Sequence, residues 1–104
     1  MPNIKDFTRG WFIGNFDPSI IKTQDFEVGI MIHKKNDHWP THFHKIITEY
    51  NIVLEGKIQF NDRTYEKGDI FIVPPYTVAL CNFLEDCSIL VIKTPSVPSD
   101  KHLV

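Results

Sequence analysis

Residues 40–56, PTHFHKIITEYNIVLEG, contain a set of side chains that bind metal ions in proteins. His42 and His44 are two residues apart, Glu49 follows five residues later, and Gly56 seven residues after that. At this spacing on a β-strand, both imidazoles project from the same face. Two imidazoles and one carboxylate are ligands that divalent transition metals favour. The segment therefore predicts a metal site formed by His42, His44 and Glu49.

The position of Glu49 requires a turn in the chain. It lies an odd number of residues from His44, so on one continuous strand it would face away from the imidazoles. We place the turn at residues 45–47, after which Glu49, Asn51 and Val53 face inward on the next strand. Taken singly, such a histidine is more often a hydrogen-bonded core residue and such a glutamate a surface residue. It is the combination that favours a metal.

Turn signals divide the remaining sequence into short β-rich runs at fairly even spacing. This pattern is typical of an all-β sandwich or barrel. The predicted strands are residues 10–16, 26–33, 42–44, 48–54, 57–60, 64–66, 70–73, 77–83 and 88–93. The runs IFIV at 70–73 and ILVI at 89–92 are apolar on both faces, so we expect each to lie between two layers.

The bulk composition excludes several classes of partner. The 104 residues fit one domain, and a net charge of -2 gives no reason to expect nucleic acid. No apolar run approaches the ~20 residues of a membrane span. The first ten residues, MPNIKDFTRG, lack the apolar stretch of a signal peptide, so we expect a cytoplasmic protein in which Cys81 and Cys87 are free thiols.

At the histidine motif the sequence resembles the cupin superfamily. The first cupin motif is Gly, five residues, His-x-His, three or four residues, Glu, six residues and Gly. His42, His44, Glu49 and Gly56 match it, while Asn36, which also tolerates positive φ, occupies the opening glycine position.

The second cupin motif is only half present. Gly68 and Pro74 fit it, but Tyr76 replaces its second glycine and Ala79 replaces its histidine. The resemblance implies three histidines and one glutamate as the usual ligands. Without the third histidine, this chain has either a three-ligand site completed by water or a lost site.

The resemblance also implies an architecture. We expect a single domain over residues 1–104, folded as a double-stranded β-helix, which is a jelly-roll barrel with the metal inside its mouth. The barrel core spans about 26–93 and an N-terminal strand spans 10–16. The tail, 94–104, is expected to run along the surface or onto a partner subunit. A homodimer is expected, because small cupins commonly pair.

Several side chains are secondary candidates for the site. Cys81 lies two residues beyond Ala79 and is a possible additional ligand, although a small buried hydrophobe is the more common use of such a cysteine. Tyr76 is a candidate proton donor, with a packing aromatic at the rim as the alternative. We expect His33 and His38 on the surface, and no His–Asp acid–base pair is evident.

Aromatic residues offer a further possibility. They could line the mouth of the barrel, although core or dimer contacts are the more common use and the one we expect. These residues are Trp11, Phe12, Phe16 and Trp39.

Three functional hypotheses follow. The first is a metal-dependent small-molecule enzyme whose divalent ion is Fe, Mn, Zn or Ni, held by His42, His44 and Glu49. The second is a non-catalytic cupin that binds a metabolite or sugar. The third, a degenerate structural cupin, is disfavoured because a barrel that binds nothing would bury apolar residues at those positions at less cost.

Overall fold

The regular structure is almost entirely β in this computed structural model, which describes residues 1–104. Two single-turn 3₁₀ helices, Ile4–Asp6 and Thr8–Gly10, precede the strands. The strands are β1 Trp11–Gly14, β2 Ile21–Lys22, β3 Glu27–His33, β4 His42–Phe43, β5 Thr48–Glu55, β6 Lys57–Phe60, β7 Arg63–Glu66, β8 Ile70–Val73, β9 Cys81–Phe83, β10 Cys87–Thr94 and β11 His102–Leu103. The predicted all-β class is confirmed. None of the helices has the length and apolar character needed to cross a membrane.

The strands form one large sheet and two small ones. The large sheet has the order β2-β1-β3-β10-β5-β8, and the small ones are β7-β6-β9 and β11-β4. The long strands β3 and β5 flank β10 and pair with it antiparallel. Side chains from the inner faces of the large sheet and of β6 and β9 form the core, which includes Val53, Ile58 and Phe83.

The two fully apolar runs are buried on one face only. On β8, Phe71 is 6% exposed, whereas its neighbours Ile70 and Ile72 are 63% and 57% exposed. On β10, Ile89 and Val91 are buried and Ile92 is partly exposed. The expectation that both runs lie between two layers is therefore wrong for the isolated chain. The core covers the inner face of both runs, whereas the outer face is exposed at Ile70 and Ile72 and only partly covered at Leu90.

The C-terminal tail also departs from the expectation of a surface segment. Ser96 and Asp100 are buried, and β11 pairs with β4, placing His102 opposite Phe43. The tail therefore packs over the histidine motif. A second difference is at 77–83, where the strand begins only at Cys81. Between the Pro74-Pro75 turn and this strand, the chain forms only one isolated β-bridge, between Ala79 and His42.

The glycine positions of the two cupin motifs share one backbone conformation. Gly56 and Gly68 both have φ 90, and the two replacements, Asn36 and Tyr76, have φ 67 and φ 63. Asparagine tolerates this left-handed region, but it is unfavourable for a bulky tyrosine. The turns are thus retained although two of the glycines are not.

Candidate functional site

A cavity of about 340 Å³ occupies the barrel and opens at one end. His42, His44 and Glu49 all line it, together with residues of the N-terminal 3₁₀ turn and of the C-terminal tail. The chain bends at Lys45 and Ile46, as predicted, and this bend brings Glu49 back beside the histidines. The structure therefore brings the three predicted ligand residues to one place.

Both imidazoles are oriented by backbone carbonyl groups. Nδ1 of His42 is 3.0 Å from the carbonyl oxygen of Pro40, and Nδ1 of His44 is hydrogen-bonded to the carbonyl oxygen of Asp100. A carbonyl only accepts, so each Nδ1 carries the hydrogen, and in the neutral imidazole this leaves the lone pair on Nε2. Metal-binding histidines are commonly fixed in this way, with the second nitrogen donating to a carbonyl or carboxylate.

Nε2 of His44 is an exception to the rule that buried polar atoms have partners. It is buried and has no hydrogen-bond partner. The nearest ionic group is the carboxylate of Glu49, whose Oε1 is 3.9 Å away. An unpartnered buried nitrogen costs free energy of folding, on the order of 1–3 kcal/mol, so its retention suggests that something binds it.

The protonation state of His42 suits a ligand role. Burial is the main cause that lowers its pKa, and the nearby charges of Lys101 and His44 lower it further. Glu49 and the Pro40 carbonyl oppose these effects without reversing them. At pH 7 His42 is therefore neutral, the form that binds metal ions.

Glu49 lies among polar neighbours rather than facing the imidazoles alone. Its Oε2 accepts a hydrogen bond from the Asn51 amide at 3.3 Å, and its Oε1 is 4.0 Å from Nζ of Lys93. As the side chains stand, no three His, Cys, Asp or Glu residues are grouped closely enough to hold a metal ion. The two imidazoles fit a metal, and Glu49 is within reach of His44 but has other partners.

Asp100 holds the bend that positions the motif. Its carboxylate accepts backbone N–H groups from Lys45, Ile46 and Ile47 at 3.0, 2.8 and 2.9 Å. Burial opposes ionisation, but these three donors and His102 outweigh it and lower the pKa of Asp100 to about 2. The same residue thus orients His44 through its backbone and the preceding bend through its side chain. No sequence motif pointed to Asp100.

The position of the missing cupin histidine is occupied by a methyl group. Ala79 is buried and pairs with His42. Cys81 also lines the cavity, as its spacing from Ala79 predicts. Burial first, and the charge of Glu49 second, raise the pKa of Cys81 to about 12, so its thiol is protonated at neutral pH.

Tyr76 does not reach the cavity, so the structure does not support its candidacy as a proton donor. Its side chain is 69% exposed and its ring stacks on Phe43, with the centroids 6.3 Å apart. Phe43 lies between His42 and His44 on the same short segment and so points away from them. The backbone N–H of Tyr76 donates to the carbonyl oxygen of His44 at 2.7 Å, which links Tyr76 to the motif from outside the barrel.

Two charged residues of the cavity escaped sequence analysis although their strands were predicted. Lys93 on β10 is in register with Glu27 on β3 and with Glu49 on β5. Its Nζ is 3.9 Å from Oε1 of Glu27, and the other oxygen of Glu27 accepts the hydroxyl of Ser96 at 2.8 Å. Strand alternation from Ile89 would have placed Lys93 on the inner face.

His33 lines the cavity, contrary to the expected surface position. Most of the aromatic candidates line it too, and Trp11 and Trp39 also pack against the hydrophobic core, as expected. Trp11, Phe16 and Trp39 line the cavity, whereas Phe12 does not. His33 stacks on Phe83 at 4.0 Å between centroids, and its Nδ1 is 3.7 Å from Oδ2 of Asp37. This His–Asp pair was not evident from the sequence, and its separation exceeds a hydrogen bond.

Comparison with known proteins assigns the architecture. No protein-family model and no curated protein matches the sequence. Among solved structures, an uncharacterised Klebsiella pneumoniae protein with a double-stranded β-helix domain matches with TM-score 0.74 and 16% identity, over 100% of this chain and 90% of that one. An RmlC-like cupin from Desulfovibrio desulfuricans matches with TM-score 0.62 and 25% identity, over 75% of this chain and 79% of that one. This chain has the cupin fold.

The resemblance drawn from the first motif, and the predicted double-stranded β-helix, are thus confirmed. A third cupin-fold neighbour is the lyase DddQ from Ruegeria pomeroyi, a DMSP lyase, with TM-score 0.73 and 15% identity over 95% of this chain and 54% of the lyase. At identities this low the structural match shows the fold alone, and the reaction of this chain has to be argued from its own residues.

Proposed function

We propose that this cupin is a metal-dependent enzyme that acts on a small molecule, with His42, His44 and Glu49 as the metal ligands. The observation that carries the proposal is the pair of imidazoles with Nδ1 fixed by carbonyl oxygens, one of which leaves a buried Nε2 without a partner. Imidazole and carboxylate donors suit Fe, Mn, Zn and Ni.

Each of the cavity residues has a separate role in this proposal. A bound divalent ion supplies Lewis acidity to an oxygen atom of the substrate. His42 and His44 hold their orientation through Pro40 and Asp100, and Glu49 contributes the third donor by turning from Lys93 towards His44. Ala79 offers no donor beside His42, so the ligand set stops at three and leaves coordination positions to solvent or substrate.

Metal content tests the proposal. Protein purified without a polyhistidine tag should carry or take up about one divalent ion per chain, measured by plasma mass spectrometry after dialysis. His44→Ala should lose that ion while keeping its β-sheet circular dichroism. His38→Ala is the matched control, since His38 is exposed and outside the cavity, and it should retain the ion. Wild-type protein that binds no stoichiometric ion would refute the proposal.

A non-catalytic metabolite-binding cupin is the second candidate. It is favoured by the exposure of Tyr76 outside the barrel, which removes the preferred proton-donor candidate from the cavity. It predicts that a ligand raises the melting temperature with no turnover. Turnover that is abolished by His44→Ala in a folded protein would exclude it.

We also propose that two copies of the chain pair through the outer face of the six-stranded sheet. Strand register aligns eight apolar side chains in two rows across four strands: Ile30, Leu90, Ile52 and Ile70 in one row, and Val28, Ile92, Tyr50 and Ile72 in the other. Monomers rarely leave so continuous an apolar surface exposed. In sedimentation equilibrium the wild type should be a dimer. Ile72→Lys should be a monomer, while Val78→Lys, exposed but outside this sheet, should remain a dimer.

A further inference from the structure

We infer that the small molecule bound in this cavity is an anion, carrying a carboxylate or phosphate group that Arg9 and Lys101 bind at the mouth. The inference rests on the proposed ligand-binding function of the cavity and adds the charge of the ligand. It comes from the distribution of charged side chains around the cavity rather than from the metal ligands.

The two ends of the chain each deliver one cation to the mouth. Arg9 lies in the 3₁₀ turn Thr8–Gly10 and Lys101 lies in the C-terminal tail, and both line the cavity. No carboxylate lies within 4.0 Å of the charged nitrogens of either residue, although ion pairs at that distance are formed elsewhere in the chain. Arg9 and Lys101 are therefore two cavity cations without an ionic partner.

The other cation of the cavity, Lys93, is different. Its Nζ is 3.9 Å from Oε1 of Glu27 and 4.0 Å from Oε1 of Glu49. Its charge is balanced by these two carboxylates. Lys93 is thus part of the protein's own ionic network and is not free for a ligand in the way that Arg9 and Lys101 are.

The acidic residues of the cavity form no ion pair with Arg9 or Lys101. Four carboxylates line it, and each has a partner: Asp17 with Lys22 at 2.9 Å, Glu27 with Ser96 at 2.8 Å, Glu49 with Asn51 at 3.3 Å, and Asp100 with three backbone N–H groups. Each carboxylate is thus held by partners of its own, whereas Arg9 and Lys101 have no ionic partner and can donate to a ligand.

The environment of Lys101 is one that an anion would relieve. Burial is the main cause that lowers its pKa, the charges of Lys93 and Arg9 lower it further, and the charge of Glu49 opposes them without reversing the shift. A cation that is partly desolvated beside two other cations is stabilised by any negative charge placed among them. Arg9 and Lys101, from separate parts of the chain, would then share one ligand group.

Both tryptophans of the protein lie at this site. Nζ of Lys101 is 4.8 Å from the centroid of the Trp39 ring, and Nζ of Lys93 is 4.6 Å from that of Trp11. Cation–π contact holds each lysine in place while leaving its N–H groups free to donate. An anion bound by Lys101 must lie close to the Trp39 indole. With only two tryptophans in the chain, intrinsic fluorescence reports on this mouth alone.

The experiment titrates chelator-treated protein with inorganic phosphate and, separately, with malonate, at constant ionic strength set by chloride. Tryptophan fluorescence should change saturably with a millimolar dissociation constant, and the tighter of the two anions identifies the group that the mouth prefers. Lys101→Met should weaken binding about tenfold or more, since it removes a charge-assisted hydrogen-bond donor. Lys35→Met, at an exposed position outside the cavity, should bind like the wild type.

Arg9→Gly supplies a second variant whose folding is not in question. Arg9 has φ 51, a left-handed conformation that favours glycine, so the substitution removes the charge and suits the backbone. It should keep or raise the melting temperature and weaken anion binding by a similar factor. Titrations that do not saturate, or that are unchanged in both Lys101→Met and Arg9→Gly, would overturn the inference.

The metal proposal and this inference fail separately. The titrations use metal-free protein, so they do not depend on a bound ion. Protein that retains a divalent ion but shows no saturable anion binding would refute the inference alone. Protein that binds the anions but no divalent ion would refute the metal proposal alone.

Discussion

The two ends of the barrel interior differ in character although the same strands build both. Along the inner face of β10 the residues change from Ile89 through Val91 to Lys93, and on β5 the residues in register with them change from Val53 through Asn51 to Glu49. On β3, opposite Lys93, the series ends in Glu27. Each strand thus passes from apolar to charged in the same direction, so sheet register alone gathers the charges at the open mouth. The apolar side chains of the closed end stabilise the fold, and the charged side chains of the mouth are available to bind a ligand.

Breaking the apolar end should have the largest effect on stability. Phe71 is 6% exposed and packs against Phe60 and Tyr65, with ring centroids 5.0 and 4.5 Å away. Phe71→Ala should lower the free energy of unfolding by about 3–5 kcal/mol, measured by urea denaturation. Val78→Ala, at an exposed position, should change it by less than about 0.5 kcal/mol. Equal small effects would show that the closed end does not stabilise the molecule.

The mouth should contribute stability in a pH-dependent way through Asp100. Its pKa in the folded protein is about 2, below the ordinary value of 3.8. The stabilisation is therefore fully present above about pH 4 and is lost as pH falls through about 2, for a total on the order of 2 kcal/mol.

Asp100→Asn provides the control for this acid window. The variant should be less stable at pH 7 by a similar amount, and the part of the stability curve between pH 4 and pH 2 should flatten. Urea denaturation at a series of pH values measures both. A variant whose curve keeps the wild-type slope in that window would show that another carboxylate is responsible.

The smallest expected effect is at Cys81, which lines the cavity. With a pKa of about 12, its thiol should react with iodoacetamide at pH 8 far more slowly in the folded metal-free protein than in urea. Cys81→Ala should retain the divalent ion, because three other residues are proposed to hold it. Loss of the ion in that variant would make Cys81 a ligand, the additional role considered from the sequence.

The sequence predicted the parts of this molecule that depend on local pattern. The His42–Glu49 spacing predicted both the cupin fold and the meeting of those residues across a bend, because strand alternation and turn position are local properties. Lys93 was predictable from the same alternation. The apolar pattern at Ile70 and Ile72 was correctly recognised as two-sided, but a pattern cannot say whether the second layer comes from the same chain.

The parts that were missed depend on contacts between distant residues. Asp100 accepts backbone N–H groups 53 to 55 residues away, and nothing in the tail sequence TPSVPSDKHLV indicates that partner. Arg9 and Lys101 approach the mouth because both chain ends fold over it. The net charge of -2 is a property of the whole chain, so it gives no indication of two unpaired cations at the mouth.

The central claim is that the Nε2 atoms of His42 and His44 hold a divalent ion in the barrel mouth. A crystal structure of metal-loaded protein, with anomalous scattering collected at the absorption edge of the ion found by mass spectrometry, tests it most directly. The account predicts one anomalous peak per chain, bonded to both Nε2 atoms and to the Glu49 carboxylate. An empty mouth in metal-loaded crystals, or a peak bound away from both histidines, would contradict it.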